Sequence, residues 1–524
     1  MSQNPQTQEF FPSLPKELLE RIGDFIEEFV VKYPSRDVRA SKIVHDPLWG
    51  TISLKPFEIA LIDSPLIQRL RQIHQTSLSY LTFPTSTHSR FEHMLGVLAQ
   101  TNKLIDSLCF QGSYQDLIAG ARTDIRLAAI LHDCGHGPLS HASEEIYRYC
   151  DDMQKLIEKG GKYEGKHPHE VLAHLIVTHP KFRDCITDLK WKYGFDCDLQ
   201  KIADTIIGKA EDDKKYITQI LNGPFDADKI DYIFRDGHFT GLPLTVDLDR
   251  LWYCVKIDWL IDEEKEIKKR ILMVEYNGMS PLEQILFCKI ILFSTIYHHQ
   301  KVRATDCMFK GIVEYIKNHP NLTFGDRKLK FHNATDFLCI TDGTFFSEAL
   351  LTKDNELREM INNILYRRLF LRALVISPNT IEGLTWDSYK EGKEHPAKEY
   401  IDFQKLSQKK IYNFKDLRDF AEEIWRASGR PCLKEEIWID VPSFPPTGET
   451  DETFIKYPSK PEKMSKVFPV HEWVEMYVFH KWKAHVFCPA KCQNKVSKAA
   501  QDVLEQKFKF KFNDLAWTSC HISR

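Results

Sequence analysis

The stretch Arg126–Glu145, RLAAILHDCGHGPLSHASEE, decides how the chain is read. Its first half has the apolar spacing of a buried helix, with Leu127, Ala128, Ile130 and Leu131 inside TDIRLAAILHD. Gly135, Gly137 and Pro138 then stop that helix abruptly. Four residues able to bind a metal or carry a proton crowd the stop: His132, Asp133, His136 and His141. Imidazole and carboxylate side by side suit a borderline divalent ion such as manganese, iron or zinc. Side chains at the end of an apolar helix can project into a cleft, so the turn is the first candidate site.

Other helices offer further ligands. His93 lies in RFEHMLGVL, on a helix whose broad apolar face carries Phe91, Leu95, Leu98, Leu104, Ile105 and Leu108. Asp228 lies in GPFDADKIDYIFRDGHFTG, where Asp231 or Tyr232 and Arg235 follow at three, four and seven residues. That face presents a carboxylate, a phenol and a guanidinium, a combination suited to a metal and a phosphate.

Composition sets the frame. The 524 residues are 43% hydrophobic and 28% charged with a net charge of −3, the balance of a folded chain with a sizeable core. No global charge favours nucleic acid or a membrane surface, so any basic site is local and nucleic-acid binding is left open. The N-terminus lacks a signal-peptide pattern, and apolar runs such as ILFSTIY are too short to span a bilayer. A cytoplasmic protein is expected. The thirteen cysteines form no repeating framework and read as buried thiols. Cys488 and Cys492, near His485, have a loose metal-like spacing without a second ligand pair, and read as structural.

Along the sequence, residues 1–43 read as a polar leader and the helix KELLERIGDFIEEFVVKY. HDPLWGTISLKPFEIALI reads as a turn, a short strand pair and a helix start. From Pro65 to about Lys317 the helical pattern dominates, ending in one long helix, SPLEQILFCKIILFSTIYHHQKVRATDCMFKGIVEYIK, capped at Ser280 and Pro281. Beyond residue 325 the texture changes. NNILYRRLFLRALVI still reads as helical, KEEIWIDVPSFPPTGETDETF as a β-like run and proline-rich loop, WKAHVFCP as a strand, and NKVSKAAQDVLEQKF as a closing helix. The expected fold is mainly α: a helical body over 44–325 and a smaller mixed α/β C-terminal lobe over 326–524, serving regulation or oligomerisation.

The order His93, His132–Asp133, Asp228 resembles the HD-domain metal-dependent phosphohydrolases. The words DSPLIQRLRQIHQ, FPTSTHSRFEHMLGV, LHDCGHGPLSH, HPHEVLA, DADKIDYIFRDGHFTG and YHHQKVRA resemble, in order over about residues 44–310, one branch of them: the deoxynucleoside triphosphate triphosphohydrolases of the SAM-and-HD-domain type and their bacterial relatives. The resemblance implies His93, His132, Asp133 and Asp228 as ligands of one divalent transition metal, with magnesium accompanying the triphosphate. It implies His141 as general acid toward the leaving 5′-oxygen, His136 as a triphosphate contact, and His169 with Glu170 as a pair lining the site. Arg90, Lys229 and Tyr232 match phosphate contacts, Gln75 and Asp236 groups that read the 3′-hydroxyl, and Tyr297 a tyrosine against the sugar. Asp63, Gln68 and Arg71 match a set that, in regulated members, reads an activating guanine nucleotide between subunits, which implies a homodimer or homotetramer.

Two departures stand out. Thr76 occupies a position where the vertebrate-type pattern has leucine against the sugar 2′ position, which bears on deoxyribose selection. Lys289 and Phe293 replace an arginine and a histidine of that pattern, and a lysine supplies charge without the bidentate fork. A phosphodiesterase or nuclease acting on cyclic or oligomeric nucleotides, and a non-catalytic nucleotide sensor, are the competing readings. The first needs no triphosphate clamp and the second no activated water.

Overall fold

The computed structural model describes residues 14–522 except 34–36, 112–113, 263–266, 326–328, 408–413, 445–448 and 459. Most of the polar leader and part of the proline-rich loop lie outside the described residues. The fold is mainly α, with a helical body and a smaller mixed lobe.

The body opens with α1 (Lys16–Ile26) and a hairpin of β1 (Lys42–Asp46) and β2 (Gly50–Leu54), paired in antiparallel register Asp46↔Gly50 to Lys42↔Leu54. Its centre is α2 (Arg90–Phe110), a 21-residue helix. Ser89 caps it by accepting from the Phe91 amide, and Glu92 returns to the Ser89 amide, closing a capping box. Against α2 pack α3 (Arg122–Leu131) and α6 (Ala227–Thr240), while α4 (His141–Tyr147) and α5 (Pro168–Thr178) pack against each other.

Gly96 lets α2 and α6 approach closely. A Cβ there would overlap Asp231 Oδ1 and Arg235 Nη2. Gly135 does the same for the turn after α3, where a Cβ would overlap the His169 carbonyl of α5. That turn is held from below by the buried guanidinium of Arg69, which donates to the carbonyls of Cys134 and, at 2.8 Å, His136. A cation satisfying orphan carbonyls past a helix end is favourable both as a cap and against the helix dipole.

Three expectations fail. Inside the supposedly helical stretch, β3 (Val255–Asp262) and β4 (Ile267–Glu275) form an antiparallel pair, extended by β7 (Phe454–Lys456) and β8 (Glu462–Lys463) into a four-stranded sheet. The long helix is two: α7 (Met279–Leu292) runs through a π turn over Phe293–Tyr297, breaks at His298–His299, and resumes as α8 (Gln300–Asn318). It starts at Met279 after Gly278, without a cap from Ser280. NNILYRRLFLRALVI is half helix, α9 (Asn355–Leu365), and half strand, β5 (Leu371–Ile376). β5 pairs with β9 (Ala484–Cys488), whose other edge takes β6 (Trp438–Asp440), so all of β9 is buried. The closing helix α10 (Gln493–Phe508) covers this three-stranded sheet.

The stretch Tyr276–Tyr297 is long and apolar enough to cross a membrane by length and composition, which reading by uninterrupted apolar runs did not register. In this fold Leu282, Ile285, Leu286, Leu292 and Ile296 of that stretch are core residues. Two large apolar clusters hold the described residues together: one joins α1, α2, α3, α5, α8 and α9 with Trp438 and Phe487, and the other joins the second half of α2 and α6 to the two larger sheets. Apolar residues between 331 and 370 belong to the first cluster, so the segment that follows residue 325 builds part of the same core as the helical body.

Candidate active site

The four expected ligands come together where α2, α3 and α6 meet. His93 Nε2 lies 3.0 Å from Asp228 Oδ1 and 3.8 Å from Asp133 Oδ2. His132 Nε2 lies 3.4 Å from Asp133 Oδ1 and 4.0 Å from Asp228 Oδ1. The ligand atoms of His93, His132 and Asp133 are mutually within 4.8 Å.

The donor set fits a divalent ion on two further counts. His132 Nε2 is buried with no hydrogen-bond partner among the described residues, while its Nδ1 bonds the Ala129 carbonyl at 2.8 Å. Burial would lower the pKa of His93, yet hydrogen bonds to Asp228 and Asp231, with Asp133 beyond, push it up to about 10. A histidine driven to hold a proton among three carboxylates marks a place that calls for positive charge.

A second layer holds His93 in place. Its Nδ1 meets Asp231 Oδ2 at 2.8 Å, and Asp231 also accepts from Trp49 Nε1 at 2.5 Å and Arg235 Nε at 2.9 Å. Arg235 reaches on to Asp46 Oδ2 at 2.9 Å. Asp231 and Arg235 are fully buried, so of the trio expected to face phosphate only Tyr232 lines the cavity, and the buried pair serves to orient an imidazole.

The turn from His136 to His141 is strained. Leu139 and Ser140, neither a glycine, have φ of 55° and 49°. Asp342 accepts from the Leu139 amide at 2.6 Å, and the Ser140 hydroxyl donates to the His74 carbonyl at 2.5 Å. The result is that His141 starts α4 with its ring 64% exposed to the cleft. Below it, buried Glu144 meets three histidines through their Nδ1 atoms: His141 at 2.9 Å, His169 at 3.1 Å and His167 at 3.3 Å. Burial would raise the Glu144 carboxyl, but His169 and the three hydrogen bonds hold it well below the usual range. Neither Glu144 nor His167 is singled out by the sequence. SHASEE reads as the exposed start of a helix, and nothing local marks its first glutamate as buried.

Arg90 joins the two layers, donating to Asp133 Oδ2 at 2.9 Å and to Ser140 Oγ at 3.0 Å, with His141 Nε2 3.1 Å away. Burial would raise Asp133, but Arg90, His132 and His136 hold it well below the ordinary value. His136 has no exposed surface; it stacks on His169 with centroids 4.0 Å apart and sits 3.4 Å from Asp133 Oδ1. His136 is not among the residues lining the cavity that opens over Asp133 and Asp228.

A cavity of about 620 Å³ opens over Asp133 and Asp228, and Arg90, His141, His169, Glu170, Lys229, Tyr232, Asp236, Gln75 and Tyr297 all line it. Tyr297 donates to Asp236 Oδ2 at 2.5 Å, and buried His88 meets the other Asp236 oxygen at 2.7 Å. Gln75 Oε1 is buried with no partner among the described residues. Lys229 Nζ bonds the Gly223 carbonyl at 2.9 Å and Asp226 at 2.7 Å. Glu170 accepts from Asn222 and from the His167 amide, both at 2.9 Å. Lys289, Phe293 and Thr76 also face the cavity. The Thr76 hydroxyl lies within 2.6 Å of Ser79 and 2.8 Å of Ser86. Beyond the π turn and the break, Lys301 bonds the Phe370 carbonyl at 3.4 Å.

Asp63, Gln68 and Arg71 are not brought to this cavity. Gln68 donates to the Ile62 carbonyl at 2.9 Å and accepts from Arg71 Nε at 2.9 Å, while the Arg71 guanidinium covers the Phe91 ring at 3.5 Å.

The HD domain family matches residues 90–215, which hold three of the four ligands. An uncharacterized protein of Methanocaldococcus jannaschii is 25% identical over 450 residues, covering 86% of this chain and 79% of its own. The human deoxynucleoside triphosphate triphosphohydrolase SAMHD1 is 26% identical over 363 residues, 64% of this chain and 55% of its own. Its Dictyostelium discoideum homolog is 26% identical over 365 residues, 67% of this chain and 63% of its own. This chain thus matches less than two thirds of the length of either named triphosphohydrolase. With the ligand geometry in hand, the family match and these relatives agree: the chain is an HD-domain protein resembling the deoxynucleoside triphosphate triphosphohydrolases.

Proposed function

We propose that this protein is a metal-dependent phosphohydrolase that cleaves deoxynucleoside triphosphates to deoxynucleoside and tripolyphosphate. The observation that carries the reading is that His93, His132, Asp133 and Asp228 converge, and that Asp133 and Asp228 line a cavity whose wall also presents Arg90 and His141. A manganese, iron or zinc ion held by those four residues would polarise a phosphoryl oxygen and acidify water.

The protein's own groups supply the rest. Arg90, already committed to Asp133, offers guanidinium charge to phosphate from a fixed position. His141 protonates the departing 5′-oxygen from Nε2, while its Nδ1 faces Glu144, whose charge stabilises the imidazolium. Polyanionic substrate beside His141 favours its protonated form before cleavage. Asp236, held between His88 and Tyr297, and Gln75 offer acceptors for a sugar hydroxyl at the side of the cavity. Lys229 reaches phosphate by releasing Asp226. Asp63, Gln68 and Arg71 belong to a second, activating nucleotide site in a cytoplasmic homo-oligomer; the resemblance of DSPLIQRLRQ to regulated family members supports this part.

Purified protein incubated with each dNTP and NTP, with manganese or magnesium, singly and in mixtures, tests the reading. Deoxynucleoside plus tripolyphosphate is expected, and activity only in mixtures supports the activating site. Cleavage of cyclic or oligomeric nucleotides with no triphosphate turned over would replace it with a phosphodiesterase.

A further inference from the structure

We propose that a lysine-lined hollow behind the catalytic cleft binds a triphosphate-class polyanion, either inorganic tripolyphosphate or the phosphate chain of a nucleotide. The hollow has a volume of about 330 Å³ and is formed by the loop before α5, the turn after residue 206, and β4. Lys162, Lys166, Lys209, Lys215 and Lys269 line it, against two carboxylates, Glu164 and Asp212. In a protein with net charge −3, five ammonium groups on one concave surface are a local concentration that the overall balance does not explain.

The fold gathers these charges without giving each a carboxylate partner of its own. Among the described residues, neither Lys166 nor Lys209 has a carboxylate within ion-pair distance. Lys269 meets Asp212 at 3.2 Å, and Lys215 donates to the Gly208 carbonyl at 2.6 Å. Burial, then Lys166 and Lys269, lowers the Lys215 pKa, and burial, then Lys209, lowers that of Lys162. Like charges pressed together in this way gain from a multivalent anion.

The hollow is also built rather than incidental. Its wall residue Tyr163 is 2% exposed, with its hydroxyl 3.0 Å from His174 Nδ1 of α5. Gly208, with φ of 65°, brings its backbone to Asn222, and Asn222 donates to both the Ile206 carbonyl at 2.8 Å and Glu170 at 2.9 Å. Glu170 lines the catalytic cavity. Asn222, which itself lines the catalytic cavity, therefore also touches Gly208 of the hollow.

The hollow does not depend on the catalytic reading, and the test keeps the two apart. Full-length protein is titrated calorimetrically with inorganic tripolyphosphate, and separately with a deoxynucleoside triphosphate analogue in which CH2 replaces the 5′-oxygen, so that the bond to be broken is absent. Wild type, Lys166→Gln/Lys209→Gln and the cleft variant Arg90→Ala are compared. Lys209 is exposed and Lys166 half-buried, and circular dichroism should report an unchanged fold. The expected result is that the double lysine variant weakens binding by about tenfold or loses a binding site, with a shallower salt dependence, while Arg90→Ala retains that site. Loss for both ligands fits recognition of the shared phosphate chain; loss for one alone names the source. Identical stoichiometry, affinity and salt dependence in wild type and the double lysine variant, for both ligands, would overturn the proposal.

Discussion

Asp231 and Asp228 grip His93 from opposite sides of its ring, Asp231 Oδ2 at 2.8 Å from Nδ1 and Asp228 Oδ1 at 3.0 Å from Nε2. The first contact fixes the imidazole with its proton on Nδ1, leaving Nε2 for a metal. Asp231→Asn should therefore weaken metal binding by about 10–100-fold while saturating metal restores most turnover. Manganese titration of metal-free protein, followed by electron paramagnetic resonance, measures it; unchanged affinity would show that Asp231 does not act through His93.

Gly96 makes that grip possible, since a Cβ would stand in the place of Asp231 Oδ1. Gly96→Ala should cost about 1–3 kcal/mol or more through overpacking and weaken metal binding with it. Gly343→Ala, where a Cβ meets nothing within 4 Å, is the control. Thermal unfolding of the two metal-free variants should show a depressed midpoint for Gly96→Ala only.

The roles of the two histidine layers separate kinetically. Asp133→Ala should lose bound metal and activity together. His141→Gln should keep its metal and lower kcat by about 10²–10⁴-fold with KM little changed. Glu144→Gln should fall between wild type and His141→Gln, because it removes the imidazolium's partner while leaving the acid in place. Metal analysis beside steady-state kinetics tests all three, and a Glu144→Gln enzyme with wild-type kcat would remove Glu144 from the account.

The quartet is legible in the sequence because HD is a local word at a helix stop, and the partners His93 and Asp228 sit in patterned helices. Glu144, His167, His88 and Asp46 are not, since each acquires its meaning from a residue distant in sequence. Asp231 and Arg235 stand out in the sequence yet play a different part in the fold: helical spacing shows which side chains share a face, not whether that face meets a cavity or a neighbouring helix. The β3–β4 pair does leave a signal in the residue order. Buried Val255 and Ile257 alternate with the polar, less buried Lys256 and Asp258, the two-residue period of a strand. The break at His298–His299 carries no glycine or proline, so the helical pattern runs through it unmarked.

Stability should depend on pH through a residue of the three-stranded sheet. His485 in β9 is buried, its Nδ1 has no partner among the described residues, and burial, helped by Arg372 and Lys483 against Asp440, lowers its pKa from 6.5 to about 3. The unfolded protein therefore binds the proton first, so stability is full above about pH 6.5 and is lost as pH falls toward 3. From pH 7.5 to 5.0 the wild type should lose about 2 kcal/mol through this group, and His485→Phe should lose that much less. Urea unfolding at both pH values checks it; equal losses in the two proteins would contradict the assignment.

The central claim is that water attacks the α-phosphorus of a deoxynucleoside triphosphate at the His93–His132–Asp133–Asp228 centre. Turnover in H2¹⁸O, with the products resolved by mass spectrometry, tests it most directly. The account predicts one ¹⁸O in tripolyphosphate and none in the released deoxynucleoside, with no turnover by Asp133→Ala. Label in orthophosphate or pyrophosphate, with a deoxynucleotide as the other product, would contradict it.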